Sequence, residues 1–198
     1  MAKSINTRAE ILDVALNLFS EKSYHGASIR DIAKEIGKRE SSIYNHFSSK
    51  EDILNELIEK FSSRNFGKIV LTDDLVNIIS KPEKFFKMLA ENILDFWDSK
   101  NERMFIKILI DRNSVKSLSH DYNLSTYLND FRNLLEFILT EMIKHKFIGK
   151  FNVNILSNEF ISPLFLLQLE LILGYGNKVK QTQVIKDHVE YFWKAIKR

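Results

Sequence analysis

Residues 28–50 read Ser28-Ile-Arg-Asp-Ile-Ala-Lys-Glu-Ile-Gly-Lys-Arg-Glu-Ser-Ser-Ile-Tyr-Asn-His-Phe-Ser-Ser-Lys50. The stretch predicts a helix, a glycine turn and a short second helix, the arrangement that lays one helix in a DNA major groove. Three residues at offsets 0, 4 and 10 set that geometry: Ala33, Gly37 and Ile43. Ala33 is small enough for a close helix crossing, Gly37 accepts a positive φ at the turn, and Ile43 seals the contact between the helices.

Outward from this stretch, amphipathic patterns continue in both directions. Thr7 and Glu10 have the spacing of a capping box, and Ile11, Ala15, Leu18 and Phe19 then share one helical face. This helix is expected to end near Tyr24 to Gly26. Ser28 and Asp31 form a second capping box, followed by Ile29, Ile32, Ala33 and Ile36 on one face. The second short helix is expected over about 40–47. Ser48 or Ser49 caps a fourth, which buries Ile53, Leu54, Leu57, Ile58 and Phe61. So small a unit needs further support.

That support is expected from helices at about 83–99, 101–114, 125–147, 154–174 and 181–197. Residues 65–82 form a connector with a short helix near Asp74 to Ser80, and Pro82 marks a helix start. Residues 160–173 are apolar almost all round. Helix 181–197 carries a stripe of Val184, Ile185, Val189, Phe192, Trp193 and Ile196. Covering both suits a symmetric dimer through 154–174 and 181–197. The expected division is a DNA-binding domain at 1–65 and a helical effector-binding and dimerisation domain at 66–198.

Composition bounds the alternatives. The chain has 198 residues, 44% of them hydrophobic, with 15 Phe, so it can bury a sizeable core. Six Gly and two Pro favour helices throughout. With no Cys, disulfides, iron–sulfur clusters and thiolate zinc are excluded. The N-terminus lacks the apolar stretch of a secretory signal. The run Phe160 to Leu173 reads as too short to span a bilayer and is interrupted by Pro163, Gln168 and Glu170. A soluble, cytoplasmic protein is expected. Net charge is +3, with 8 Lys/Arg against 6 Asp/Glu in residues 1–50, which is no polybasic tail. Geometry rather than bulk charge must then carry any recognition of DNA.

The segment Gly26-Ala-Ser-Ile-Arg-Asp-Ile-Ala-Lys-Glu-Ile-Gly37, with Ser41-Ser-Ile-Tyr-Asn-His-Phe-Ser-Ser-Lys-Glu-Asp-Ile-Leu54, resembles the N-terminal signature of the TetR family of one-component bacterial regulators. The close match covers about residues 7–60; beyond it the resemblance is architectural. It implies an all-α chain, with a three-helix helix-turn-helix domain joined to a C-terminal helical ligand-binding and dimerisation domain. It also implies a homodimer on a palindromic operator, probed by two recognition helices. By resemblance, Ser28 and Lys50 touch phosphate. Arg39, Glu40, Ser41 and Ser42 front the recognition helix, where Glu40 is equally suited to a cap or salt bridge. Asn45 is placed to read adenine, and Tyr44 and His46 to hold the backbone. Two positions depart from the family pattern. Lys38 stands where an apolar residue is usual and is open to a phosphate contact or to solvation; Ser41 stands where the family often has glycine.

In the C-terminal part, Phe96, Trp97, Met104, Phe105, Tyr122, Tyr127, Phe131 and Phe137 recur at helical spacing, as core residues do. The same aromatics suit a cavity for a small hydrophobic or amphipathic effector. Its candidate lining is Phe96, Trp97, Phe105, His120, Tyr122, Tyr127, Phe131 and Gln168, with His145 a further anchor. The resemblance implies that such a ligand releases the DNA, and family habit favours a repressor. Two other readings are weighed: an enzyme, and a helical interaction protein that keeps the fold without sensing an effector. Against an enzyme, His25, His46, His120, His145 and His188 form no pair at metal-ligand spacing. There is also no glycine-rich phosphate loop and no Gly-x-Ser-x-Gly elbow. No cofactor and no metal are expected.

Overall fold

A computed structural model describes residues 2–112 and 122–197, with side chains described for 7–111 and 122–197. The chain is all-α, with no strand among the described residues. It divides into two compact units that are not contiguous in sequence. The first holds Met1–Arg64 with Lys100–Tyr127, the second Asn65–Ser99 with Leu128–Arg198. Residues 100–127, which the linear division at 65 assigns to the C-terminal helices, group with the helix-turn-helix segment.

In the first unit, α1 (Ala2–Gly26) packs on α2 (Ile29–Glu35) and α4 (Lys50–Ser62), and α2 packs on α3 (Glu40–Tyr44). The helix at Lys100–Arg112, α8, lies along α1. The expected faces are the buried ones: Ile11, Ala15, Leu18 and Phe19 on α1, and Ile53, Leu54, Leu57, Ile58 and Phe61 on α4. The box at Thr7 and Glu10 does not start α1, because the helix already runs from Ala2. Thr7 instead accepts a 2.8 Å hydrogen bond from the Lys38 ammonium. α1 breaks at Ser23, where φ is 65°. The released Tyr24 amide donates to the Asp111 carboxylate of α8 at 3.0 Å.

α3 is shorter than the expected 40–47. Its hydrogen bonds run on as a turn, with the His46 and Phe47 amides donating to the Ile43 carbonyl at 2.9 and 3.0 Å. This turn drops Phe47 into the core, at 1% exposure. The chain then extends through Ser49, whose hydroxyl accepts from the Asp52 amide at 3.0 Å and caps α4.

The second unit is built from α5 (Phe66–Val70), α6 (Asp73–Asn77), α7 (Pro82–Asp98), the greater part of α9 (Leu124–Lys144), α10 (Val153–Ile172) and α11 (Lys178–Ile196). Pro82 takes the first position of α7, where its missing N–H costs nothing. The short helix α5 falls inside the expected connector. Its start is capped by Asn65, whose side chain accepts from the Lys68 amide at 3.1 Å. α10 runs for 20 residues and, by length and composition alone, is long and apolar enough to cross a membrane. Here it is a core helix: Phe160, Ile161 and Leu164 are fully buried, with α7 and α11 packed against it. Phe86, Phe160 and Phe192 meet ring to ring at the centre.

Candidate nucleic-acid interface

The helix-turn-helix is held by local chemistry at each joint. The Ser28 hydroxyl accepts from the Asp31 amide at 3.1 Å, and the Asp31 carboxylate accepts from the Ser28 amide at 2.9 Å. The Ser28 hydroxyl also donates to that carboxylate at 2.6 Å, and this bond, with the one from the Ser28 amide, holds the Asp31 carboxyl below its ordinary range. At the other end of α2, Gly37 has φ 66°. The Lys38 amide there reaches back to the Ala33 carbonyl at 2.9 Å, closing the helix through a left-handed residue. Ala33 and Ile43 are buried together between α2 and α3.

α3 has an apolar back and a polar front. Ile43 is fully buried, while Arg39, Glu40, Ser41 and Asn45 are exposed and Ser42 is half-buried. Tyr44 is 54% exposed. Glu40 stands in the first turn of α3, where a carboxylate favours the helix dipole, and no ion pair to Arg39 forms. Arg39 occupies the cap position without a side-chain cap bond. The exposed row at the front of α3 is therefore available to a partner.

The other nominated residues are engaged within the protein. The Lys38 ammonium bonds Thr7 and lies 3.7 Å from the Glu10 carboxylate, tying the turn to α1. The Lys50 ammonium donates to the Tyr24 and Ala27 carbonyls at 2.8 and 2.9 Å and lies 4.3 Å from the Tyr24 ring centre. Burial there holds its pKa below the usual lysine range. Lys50 thus braces the link from α1 to α2. His46 is half-buried, and its carbonyl accepts from Arg8.

Arg8 is a residue that sequence reasoning missed. Its guanidinium bonds both oxygens of Glu56 and the His46 carbonyl, and it lies over the Phe47 ring at 4.2 Å. It clamps the end of α3 between α1 and α4. The hydrogen bond to Glu56 and the charge of that carboxylate raise its already high pKa. The only signal in the sequence was an arginine one turn ahead of an apolar stripe.

Among the candidate effector residues, Phe105 meets Tyr122 and Tyr127 at ring separations of 6.4 and 6.2 Å, and Phe131 meets Phe96 and Trp97 at 5.9 and 5.0 Å. Phe105, Tyr122 and Tyr127 belong to the first unit; Phe96, Trp97, Phe131 and Gln168 belong to the second. His120 lies outside the described residues, and His145 is exposed. Trp97, Phe105, Tyr127 and Phe131 are buried, and Trp97 packs on Phe131 and Phe165 at ring separations of 5.0 and 5.2 Å. Each of these four rings packs against another aromatic ring. An open cleft of about 600 Å³ lies elsewhere in the second unit, between α7, α10 and α11. Among the nominated residues only Gln168 lines it.

These features define a helix-turn-helix protein with a helical second unit. Residues 11–57 match the family described as bacterial regulatory proteins, tetR family. Residues 11–57, the helix-turn-helix segment, thus carry the N-terminal signature of the TetR family. The chain is 41% identical over 61 residues to the HTH-type transcriptional repressor KstR2 of Rhodococcus jostii, covering 31% of this chain and 30% of that protein. To the biofilm operon negative transcriptional regulator IcaR of Staphylococcus epidermidis it is 27% identical over 165 residues, covering 73% and 86% of the two chains. The chain therefore spans less than a third of KstR2 but most of IcaR. The solved structure of the ketosteroid transcriptional regulator KstR2 of Mycobacterium tuberculosis superposes with a TM-score of 0.65 at 18% identity, over 97% and 95% of the chains. That likeness shows a shared fold.

Proposed function

We propose that this protein is a homodimeric, sequence-specific DNA-binding transcription regulator of the cytoplasm. It acts as a repressor that leaves a palindromic operator when a small amphipathic effector binds. The observation that carries this reading is the construction of α3, with Ile43 fully buried behind and Arg39, Ser41, Tyr44 and Asn45 exposed in front. Such a helix can enter a major groove without unpacking its own domain. The names of KstR2 and IcaR, a repressor and a negative regulator, support repression.

Dimerisation is supported by unpartnered apolar side chains on the last two helices. Ile155, Leu166 and Leu173 share one exposed stripe of α10, and Val184 and Tyr191 one exposed stripe of α11. A two-fold pairing buries both stripes at once. On this reading the two copies of α3 enter successive major grooves, whose half-sites lie about 34–36 Å apart.

Tyr44→Ala is expected to raise the Kd for operator DNA about tenfold, or about 1.4 kcal/mol, with an unchanged Tm. Lys50→Met is expected to lower the Tm and weaken binding together, since its ammonium holds the Tyr24 and Ala27 carbonyls. Fluorescence anisotropy and thermal melts read the two effects. Wild-type affinity in Tyr44→Ala sinks the docking of α3. In vitro transcription from a template carrying the bound site then tests repression. Transcript that falls as occupancy rises supports it, and transcript that rises makes the protein an activator.

A further inference from the structure

We propose that Asp111 is a positioning residue for DNA recognition. It holds the joint between α1 and α2 in a strained backbone conformation from which α2 and α3 take their direction. The joint and its partners all lie within the first compact unit. That the joint serves DNA recognition rests on the regulator reading above; the strain itself does not.

The strain is at Ser23, where φ is 65° and ψ is 164°. Its hydroxyl accepts from the Gly26 amide at 3.3 Å, as a capping serine does. Capping does not require this backbone. Ser28 and Ser49, which cap α2 and α4, combine ψ of 161° and 170° with φ of −122° and −158°. Positive φ with extended ψ is a region that glycine alone occupies freely, because a Cβ there crowds the backbone. A serine stays in it only when the surrounding structure imposes it.

Two grips from distant parts of the unit impose it. From α8, the Asp111 carboxylate accepts from the Tyr24 amide at 3.0 Å. From the start of α4, the Lys50 ammonium donates to the Tyr24 and Ala27 carbonyls at 2.8 and 2.9 Å. Tyr24 is thus held at both its N–H and its C=O, directly after the strained residue. Asp111 stands in the last turn of α8, where a carboxylate opposes the helix dipole. The stability of α8 alone therefore does not account for an acid at this place, whereas its bond across to the joint does.

The cap of α2 follows at Ser28, so a change of φ at Ser23 turns α2, and α3 with it, against α1. Without the Asp111 bond Ser23 relaxes toward negative φ, and the exposed front of α3 leaves its place. The buried side chains Ile11, Phe19, Ile32 and Leu54 keep the unit folded without this bond. Recognition is less tolerant, because binding groups must be held to about 0.5 Å.

Urea unfolding of the full chain reads the strain without DNA. At an ordinary φ alanine is more stable than glycine; here the Ser23→Gly midpoint is expected to lie about 0.5 M above that of Ser23→Ala. Equal or reversed midpoints overturn the strain. Anisotropy with a duplex that the wild type selects from a random pool reads the positioning. Asp111→Ala is expected to raise the Kd about fivefold, but less than about twofold when Ser23→Gly is also present, since no strain is then left to hold. Asp111→Asn, which keeps an acceptor for the Tyr24 amide, is expected to bind within about twofold of wild type. Wild-type affinity in Asp111→Ala overturns the proposal. So does an equal loss with and without Ser23→Gly, because glycine does not rescue a residue that only packs α8 on α1. An equal loss in Asp111→Asn and Asp111→Ala overturns it too. Should Asp111→Ala fail to fold, a folded double variant supports the proposal and an unfolded one overturns it. A wild type that selects no duplex overturns the regulator reading instead, and the urea comparison still decides the strain.

Discussion

A fragment ending at Arg64 is expected to lose the cooperative thermal unfolding of the full chain. Such a fragment keeps all four helices of the helix-turn-helix segment but lacks α8, which lies along α1 in the same compact unit. α8 brings Phe105, Ile106 and Leu109, all fully buried. Phe105 stacks on Phe61 of α4 with ring centres 4.2 Å apart. Each such side chain contributes about 1.5–3 kcal/mol when buried. Losing three of them, and leaving their partners wet, removes stability comparable to the roughly 5–15 kcal/mol that holds a whole domain. The fragment also loses Asp111, which holds the Tyr24 amide, and Glu102, which holds Arg64. Circular dichroism melts of the fragment and the full chain check this. A sharp, reversible transition in the fragment shows that α8 is dispensable.

Arg64→Met is expected to destabilise the protein by about 3 kcal/mol at pH 8, and by distinctly less at pH 5. Glu102 has no exposed surface, and its carboxylate accepts from Arg64 at 2.7 Å and from the Tyr127 hydroxyl at 2.8 Å. Burial raises the Glu102 pKa above the usual carboxylate range, against the opposing pull of Arg64 and Tyr127. A carboxyl whose pKa is raised by folding contributes its full stability while protonated, in acid. That contribution is lost as pH climbs through the folded-state pKa. Without the guanidinium the pKa rises further, so the loss at pH 8 grows while little changes in acid. Methionine keeps apolar contact with Phe61, over which the guanidinium lies at 4.1 Å, but loses the Nε hydrogen bond to the Phe61 carbonyl at 3.2 Å, so the pH dependence and not the total loss reads the charge. Urea midpoints of both proteins at pH 5 and pH 8 give the comparison. An equal difference at the two pH values contradicts a buried charge pair.

How much of this was legible in the sequence depended on range. The joints of the helix-turn-helix were legible, because the Ser28 and Asp31 box and the positive φ of Gly37 act within a few residues. The buried faces were legible too, since helical spacing fixes which side chains share a side. The box at Thr7 was misleading. A capping motif permits a helix to start but does not stop one already running, and α1 enters from Ala2. Position alone offers Lys50 a phosphate contact and leaves Lys38 open between phosphate and solvent, and it says nothing of their partners within the protein. Their ammonium groups are met by oxygens on α1 and beyond it, 31, 26 and 23 residues away, and no local pattern encodes those partners. Arg8 was silent for the same reason, with Glu56 and His46 as distant partners. The aromatics were ambiguous for a different reason. A ring that lines a cavity and a ring that fills a core recur at the same helical spacing. Only the contacts of Trp97 with Phe131 and Phe165 separate the two. The open cleft lies instead among charged residues of α7 and α11, whose surface character is common to any solvated helix face.

The central claim is that α3 reads DNA sequence from a two-fold pair of chains. Selection of bound duplexes from a random pool, with purified full-length chain at near-physiological salt, tests it most directly. The account predicts a recovered palindrome whose half-sites lie about one helical turn apart, about 34–36 Å centre to centre. Recovery of unrelated sequences with no shared motif contradicts it.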